Sequence, residues 1–149
     1  MIRIKEGNLK TVVELSLQIP EFTNPPVKEV YEHRILEVPH LILIAFVNKN
    51  PVGFKVGYER IGIPEGSPKT FYSWMGGVLP DFRRQNIALQ LAEYQEEWAK
   101  QQKYLSITFK TRNQHKNMLI FALRRGFNII DFKEKDTILT NRILLRKSL

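Results

Sequence analysis

The spacing of hydrophobic positions changes along the chain, and each change predicts an element. Ile2-Arg3-Ile4 alternates, which predicts a short first strand. Gly7 and Asn8 then open a helix carrying Leu9, Val12, Val13, Leu15, Leu17 and Ile19 before Pro20. After the turn at Asn24-Pro25-Pro26, residues Val27 to Leu36 space Val27, Val30, Tyr31 and Ile35 as a second short helix. Residues 41–47 predict a buried strand, Asn48 to Pro51 a turn, and Val52 to Arg60 its hairpin partner. A loop over 61–69 leads to a third antiparallel strand, Thr70 to Leu79, which Gly76-Gly77 interrupts; paired glycines there predict a bulge or a close backbone approach. Residues 84–101 place Ile87, Leu91, Tyr94 and Trp98 on one helical face. Tyr104 to Lys110 is the next strand. Asn113 is placed to cap a helix over 114–125, and Gly126 to close it with positive φ. Phe127 to Phe132 and Ile138 to Leu145 complete the series. There is no repeat, low-complexity tract or Ser/Gly linker, so residues 1–149 are expected to form one α+β domain with a single mixed, mostly antiparallel sheet and helices on both faces.

Composition narrows the chemistry. The 149 residues contain no cysteine, which excludes disulfides, thiolate metal sites and a cysteine nucleophile, and fits a reducing cytoplasm. The longest apolar run, residues 41–47, falls far short of the ~20 residues needed to span a bilayer, and no signal-like segment opens the sequence; a cytoplasmic protein with no membrane partner is expected. His33, His40 and His115 have no metal-ligand spacing, so no metal is expected. The net charge of +8 is uneven: residues 1–77 hold nine basic and eight acidic side chains, and residues 78–149 hold fourteen and seven. The second half therefore seeks an anion, and charge by itself does not choose among nucleic acid, a membrane surface and a polyphosphate ligand.

The segment from Gly77 to Leu91 runs from a strand end into a helix start among basic side chains. Unpaired N–H groups in a helix's first turn, at the positive end of its dipole, hold phosphate well, with Arg83 and Arg84 in support. Val78-Leu79-Pro80, then Asp81-Phe82, then Arg83-Arg84-Gln85-Asn86-Ile87-Ala88, resemble the motif of the GNAT superfamily of N-acetyltransferases, in which V-x-P precedes [Q/R]-x-x-G-x-[G/A]. Downstream, the strand Tyr104–Lys110, the loop Thr111-Arg112-Asn113, the helix 114–125 and Gly126-Phe127 are similar to the second half of that family, so the resemblance spans nearly the whole chain.

The resemblance implies a GNAT-like acyl-CoA transferase fold and transfer of an acetyl group from acetyl-CoA, as co-substrate, to a primary amine by direct attack. It implies that pantetheine inserts beside Val78, Leu79 and Pro80 as a false strand. It also implies that N–H at Val78 or Leu79 polarises the thioester carbonyl, and that the phosphates rest on the backbone from Arg84 through Gln85, Asn86 and Ile87 to Ala88. Asn113 and Asn117 would bond the CoA arm. Two positions depart from the family. Asn86 stands for a glycine, and of the other residues Asn best tolerates positive φ there. Ala122 stands where many members carry a Tyr that protonates the departing thiolate; water, another Tyr or nothing replaces it. Candidates for the base that deprotonates the amine are Glu21, Tyr72 and Ser73.

The acceptor is expected to be a small-molecule or peptide amine, and the protein a monomer or homodimer. Two rival readings are a catalytically silent acyl-CoA-binding module, motivated by Ala122, and a basic nucleic-acid-binding domain reading through Lys116, Arg124 and Arg125. Met118, Leu119, Phe121 and Leu123 leave that last helix too apolar to lie in a groove, so no nucleic-acid partner is expected.

Overall fold

The computed structural model describes residues 1–149 and has the predicted order of elements. The strands are β1 (Ile2–Glu6), β2 (His40–Val47), β3 (Asn50–Arg60), β4 (Thr70–Val78), β5 (Ser106–Arg112), β6 (Asn128–Lys133) and β7 (Arg142–Ser148). The helices are α1 (Leu9–Ser16), α2 (Lys28–Ile35), α3 (Ile87–Gln101) and α4 (Lys116–Arg124), with a 3-10 turn at Pro80–Phe82. One sheet runs in the order β1-β2-β3-β4-β5-β7-β6. Every pairing is antiparallel except β4 with β5, the parallel pair that α3 connects.

The alternation of the strands sends alternate side chains to two apolar layers. Leu41, Leu43, Val52, Phe71, Ile107 and Leu145 meet Ile87, Leu91 and Ala99 of α3 and Ala122 of α4 on one face. Ile44, Phe54, Val56, Tyr58 and Tyr72 meet Leu9, Val12 and Leu15 of α1 and Tyr31 and Ile35 of α2 on the other. Asn8 caps α1 by accepting the Thr11 N–H at 3.0 Å, and Gly126 closes α4 at φ 92°, both as the sequence predicts.

Several details differ from the expectation, where backbone conformation, a hydrogen bond or a packing contact outweighs the periodicity. The third helix starts at Ile87 rather than 84, since Arg84 and Asn86 have φ of 64° and 62° and cannot continue a right-handed helix backwards. Asn113 does not cap α4: its Oδ1 accepts from the Lys116 ammonium at 2.9 Å and its side-chain amide donates to the Ile138 carbonyl at 3.2 Å, so α4 opens only at Lys116. Ile138 and Leu139 are not in β7. They lie exposed in a turn that Thr137 and Thr140 hold by reciprocal backbone-to-hydroxyl bonds of 3.1 and 3.2 Å, and the strand begins at Arg142. The bulge in β4 is at Trp74, between Val56↔Met75 and Gly57↔Ser73, rather than at the glycines. Gly77 instead makes room for the loop after α1: a Cβ there would lie 2.8 Å from Ile19 Cδ1 and 3.3 Å from Phe22.

Candidate active site

The parallel contact between β4 and β5 is only two residues long, Phe71↔Ile107 and Tyr72↔Thr108. Beyond it the strands separate while each stays paired on its outer side, β4 with β3 and β5 with β7. The sheet is thus split at its centre, with the Trp74 bulge immediately past the apex. Along the open edge the hydrogen-bond alternation decides which groups face the gap. The Leu79 N–H donates to the Val52 carbonyl at 2.8 Å and belongs to the β3 ladder. Val78, opposite Gly53, and Gly76, opposite Lys55, are therefore the positions whose N–H and C=O point away from β3 and into the split. Of the two amides expected to polarise a carbonyl, Leu79 is bonded within the β3 ladder, and the Val78 N–H faces the split.

The chain leaves β4 through Pro80 and the 3-10 turn and enters α3 through two left-handed residues, Arg84 and Asn86. The first intrahelical bond of α3 runs from the Gln90 N–H to the Asn86 carbonyl at 3.0 Å. No protein carbonyl or side-chain acceptor takes the N–H groups from Arg84 to Leu89, a run that includes Gln85, Asn86, Ile87 and Ala88. Arg84 and Gln85 have exposed side chains and Ala88 is small, so the approach to these amides is open. The arrangement is a cationic cradle of backbone donors beside the split, fit for a polyphosphate.

Arg83 has a different position from the one expected. Its two terminal nitrogens donate to both Glu21 oxygens at 2.8 Å and its Nε donates to the Val78 carbonyl at 3.1 Å. The guanidinium thereby clasps the α1–α2 loop to the end of β4 instead of standing free for phosphate. Its hydrogen bonds hold the Glu21 carboxyl below its ordinary value, outweighing the smaller opposite effect of burial. A carboxylate so stabilised is a poor proton acceptor. Tyr72 is buried, which raises its phenol above the ordinary value, with nearby Tyr58 adding to the effect and Arg60 opposing it. It is a protonated donor at neutral pH rather than a base. Ser73, the next residue along β4, points to the opposite face of the sheet from Tyr72 and does not line the groove described next.

That groove, of about 890 Å³, lies on the α1/α2 side of the split. Glu21, Phe22 and Pro25 of the α1–α2 loop form one wall, Tyr72, Trp74 and Met75 its floor, and side chains of β5, β6 and β7 the other wall. His115, which the sequence offers only as a lone histidine, enters it beside Glu21. Asn113 and Asn117 stand at the loop and first turn leading into α4, where Asn117 is exposed. Ala122 is 2 % exposed inside the α3/α4 apolar layer and does not line the groove. No group of three His, Asp or Glu side chains converges as a metal site, and no helix is long and apolar enough to cross a membrane.

The model of the acetyltransferase (GNAT) family matches residues 10–127. The sequence has no match among curated proteins. Among solved structures, the fold is similar to the NatC complex bound to Gag peptide and CoA, at TM-score 0.82 and 17 % identity over 99 % of this chain and 98 % of that one. It is similar to the ribosomal-protein-S18-alanine N-acetyltransferase from Escherichia coli, at 0.80 and 14 % over 99 % and 94 %. A GNAT acetyltransferase from Elizabethkingia anophelis with acetyl-CoA bound is also similar, at 0.75 and 22 % over 99 % and 98 %.

Proposed function

The chain belongs to the acetyltransferase (GNAT) family, and from that premise we propose that it moves the acetyl group of acetyl-CoA directly to an amine held in the groove over Tyr72 and Trp74. The observation that carries this reading is the run of free N–H groups from Arg84 to Leu89, next to a sheet opened between β4 and β5. The cradle binds the pyrophosphate, with Arg84 as its charged side chain. Gly76 offers the pantetheine arm a backbone N–H and C=O as an added strand would, Val78, Leu79 and Pro80 shape its edge, and Asn113 and Asn117 flank the far end. Acetyl-CoA supplies an activated thioester, and the chain's own groups do the rest. The Val78 N–H stabilises charge on the carbonyl oxygen as the amine nitrogen bonds to the carbonyl carbon and the carbon–sulfur bond breaks. Protonated Tyr72, at the apex of the split, donates to the sulfur that leaves. The amine gives up its proton to solvent that reaches the open groove, which His115 also lines.

The family relationship also suggests where the acceptor lies. In the NatC structure a peptide and CoA are bound together, and here the α1–α2 side of the split is the space left for an acceptor once the cradle is filled. The test is twofold. Acetyl-CoA at millimolar concentration should raise the melting temperature, since a ligand of the folded state stabilises by RT ln(1 + [L]/Kd), and thiol release should follow when an amine is added. No thermal shift would overturn the acetyl-CoA site. A shift without thiol release from any amine would make the chain a silent acyl-CoA-binding module.

A further inference from the structure

Every strand on the far wall of the groove adds a basic side chain on the same sheet face. Arg112 of β5 is directly opposite Arg142 of β7, and Arg142 is directly opposite Lys133 of β6. Three cations therefore stand abreast across three neighbouring strands, a register in which like charges repel. Lys110, two residues before Arg112, shares the face, and Lys135 and Arg34 complete the lining. None of these six belongs to any of the chain's four ion pairs. Asp131 and Glu21 are the groove's acids, and Glu21 is already bound bidentately to Arg83. Arg34 stacks on Trp74 at 4.4 Å and Arg60 on Tyr72 at 4.7 Å, so the floor is edged with cations as well. The crowding is felt: burial, then Arg60, Lys133, Arg142 and Lys135, holds the Lys110 ammonium below its ordinary value.

The charge is not there for CoA phosphate, because the two features lie on opposite faces of the sheet. Lys110 and Arg112 alternate with Phe109 and Ile107, which face the α3/α4 layer, and that layer is the side on which α3 begins. The cation face of β5, β7 and β6 is open along the groove, where Lys110, Arg112 and Lys133 are exposed. The row spans two inter-strand spacings, ~10 Å, which matches about three residues of an extended peptide at ~3.3 Å each. The geometry points to an acidic acceptor: the N-terminal amine of a polypeptide with Asp or Glu among the few residues that follow it. This rests on the acetyltransferase reading and names its substrate class.

The experiment compares thiol release from peptides that share an N-terminal residue and carry Asp/Glu, Asn/Gln or Lys at positions two to four, beside the small anionic amines glutamate and phosphoethanolamine. Three surface-strength contacts multiply to a preference of roughly ten- to hundredfold in kcat/KM for the acidic over the neutral peptide. That preference should shrink as salt rises. In the double variant Arg112→Gln/Lys133→Gln it should fall several-fold while the KM for acetyl-CoA moves less than about twofold. The melting temperature of that variant should hold or rise, since a repelling row has been relieved. Equal rates for acidic and neutral peptides would overturn the proposal, as would a preference unchanged in the variant. A raised acetyl-CoA KM in the variant would assign the row to the cofactor instead, and faster turnover of the small anions than of any peptide would exclude the polypeptide source. If no acceptor is acetylated, Trp74 fluorescence read in a titration of the same peptides still separates the two ideas: binding that favours the acidic peptide leaves the charge reading standing while the catalytic one falls.

Discussion

Asn86 shows how much can hang on one side chain. It holds φ 62° at the start of α3, a conformation that costs an L-residue steric energy and glycine almost none. Asn86→Gly should therefore fold, gain up to about 1 kcal/mol of native-state relief less the entropy glycine adds to the unfolded chain, and bind acetyl-CoA at least as tightly. A tenfold loss of affinity by titration calorimetry would show that the amide side chain itself holds the ligand. At position 122 the structure reverses the attraction of restoring a phenol. Ala122 is packed inside the apolar layer, so Ala122→Tyr should cost about 1–3 kcal/mol by overpacking without raising turnover, measurable by urea denaturation beside the rate of thiol release. The donor worth removing is Tyr72. Tyr72→Phe should lower kcat about tenfold or more with the acetyl-CoA KM little changed, and an unchanged kcat would leave the thiolate to depart unaided.

At the scale of elements, the clasp between Arg83 and Glu21 joins the α1–α2 loop to the end of β4, across 62 residues of sequence. Folding lowers the Glu21 pKa below its ordinary 4.5. The stabilisation is therefore complete above that value and is lost as pH falls through the lower folded one. Both partners are substantially exposed, at 39 % and 52 %, so the amount is at most about 1 kcal/mol. Glu21→Gln should flatten the decline in melting temperature below pH 4.5 and raise the KM for the acceptor, because the loop it anchors forms a wall of the groove; acceptor kinetics at neutral pH that match the unaltered chain would deny the loop that role. At Lys55 folding disfavours the charge instead of stabilising it. Burial lowers the Lys55 ammonium of β3 to about 8, with Glu96 opposing and Arg125 assisting the shift. The folded chain thus binds fewer protons than the unfolded one between about pH 8 and 10.5, and stability should rise with pH across that window. Lys55→Met should stabilise the protein at pH 7 by roughly 1–3 kcal/mol and remove that rise in a pH series of melting curves.

Over the whole molecule, the order of elements and the two-faced sheet follow from the sequence because they rest on local periodicity: Leu41 to Val47 announces a buried strand and Ile87, Leu91 and Trp98 an apolar helix face wherever they fold. The left-handed turn at Asn86 is foreseen through the family resemblance instead, because Asn stands there for a glycine and tolerates positive φ. What the sequence could not determine lies between residues far apart. The capping role expected of Asn113 was lost to partners at Ile138 and Lys116, and the free anion-binding role of Arg83 to Glu21. A side chain's hydrogen-bond partner is chosen by whatever the tertiary fold brings within reach, and no spacing along the chain encodes that choice. The cations tell it most plainly. Arg112, Lys133 and Arg142 are unremarkable members of a basic half until β7 inserts between β5 and β6 and sets them side by side. The excess charge was written in the sequence, while its concentration on one open face, beside a split sheet, belongs to strand order and register alone.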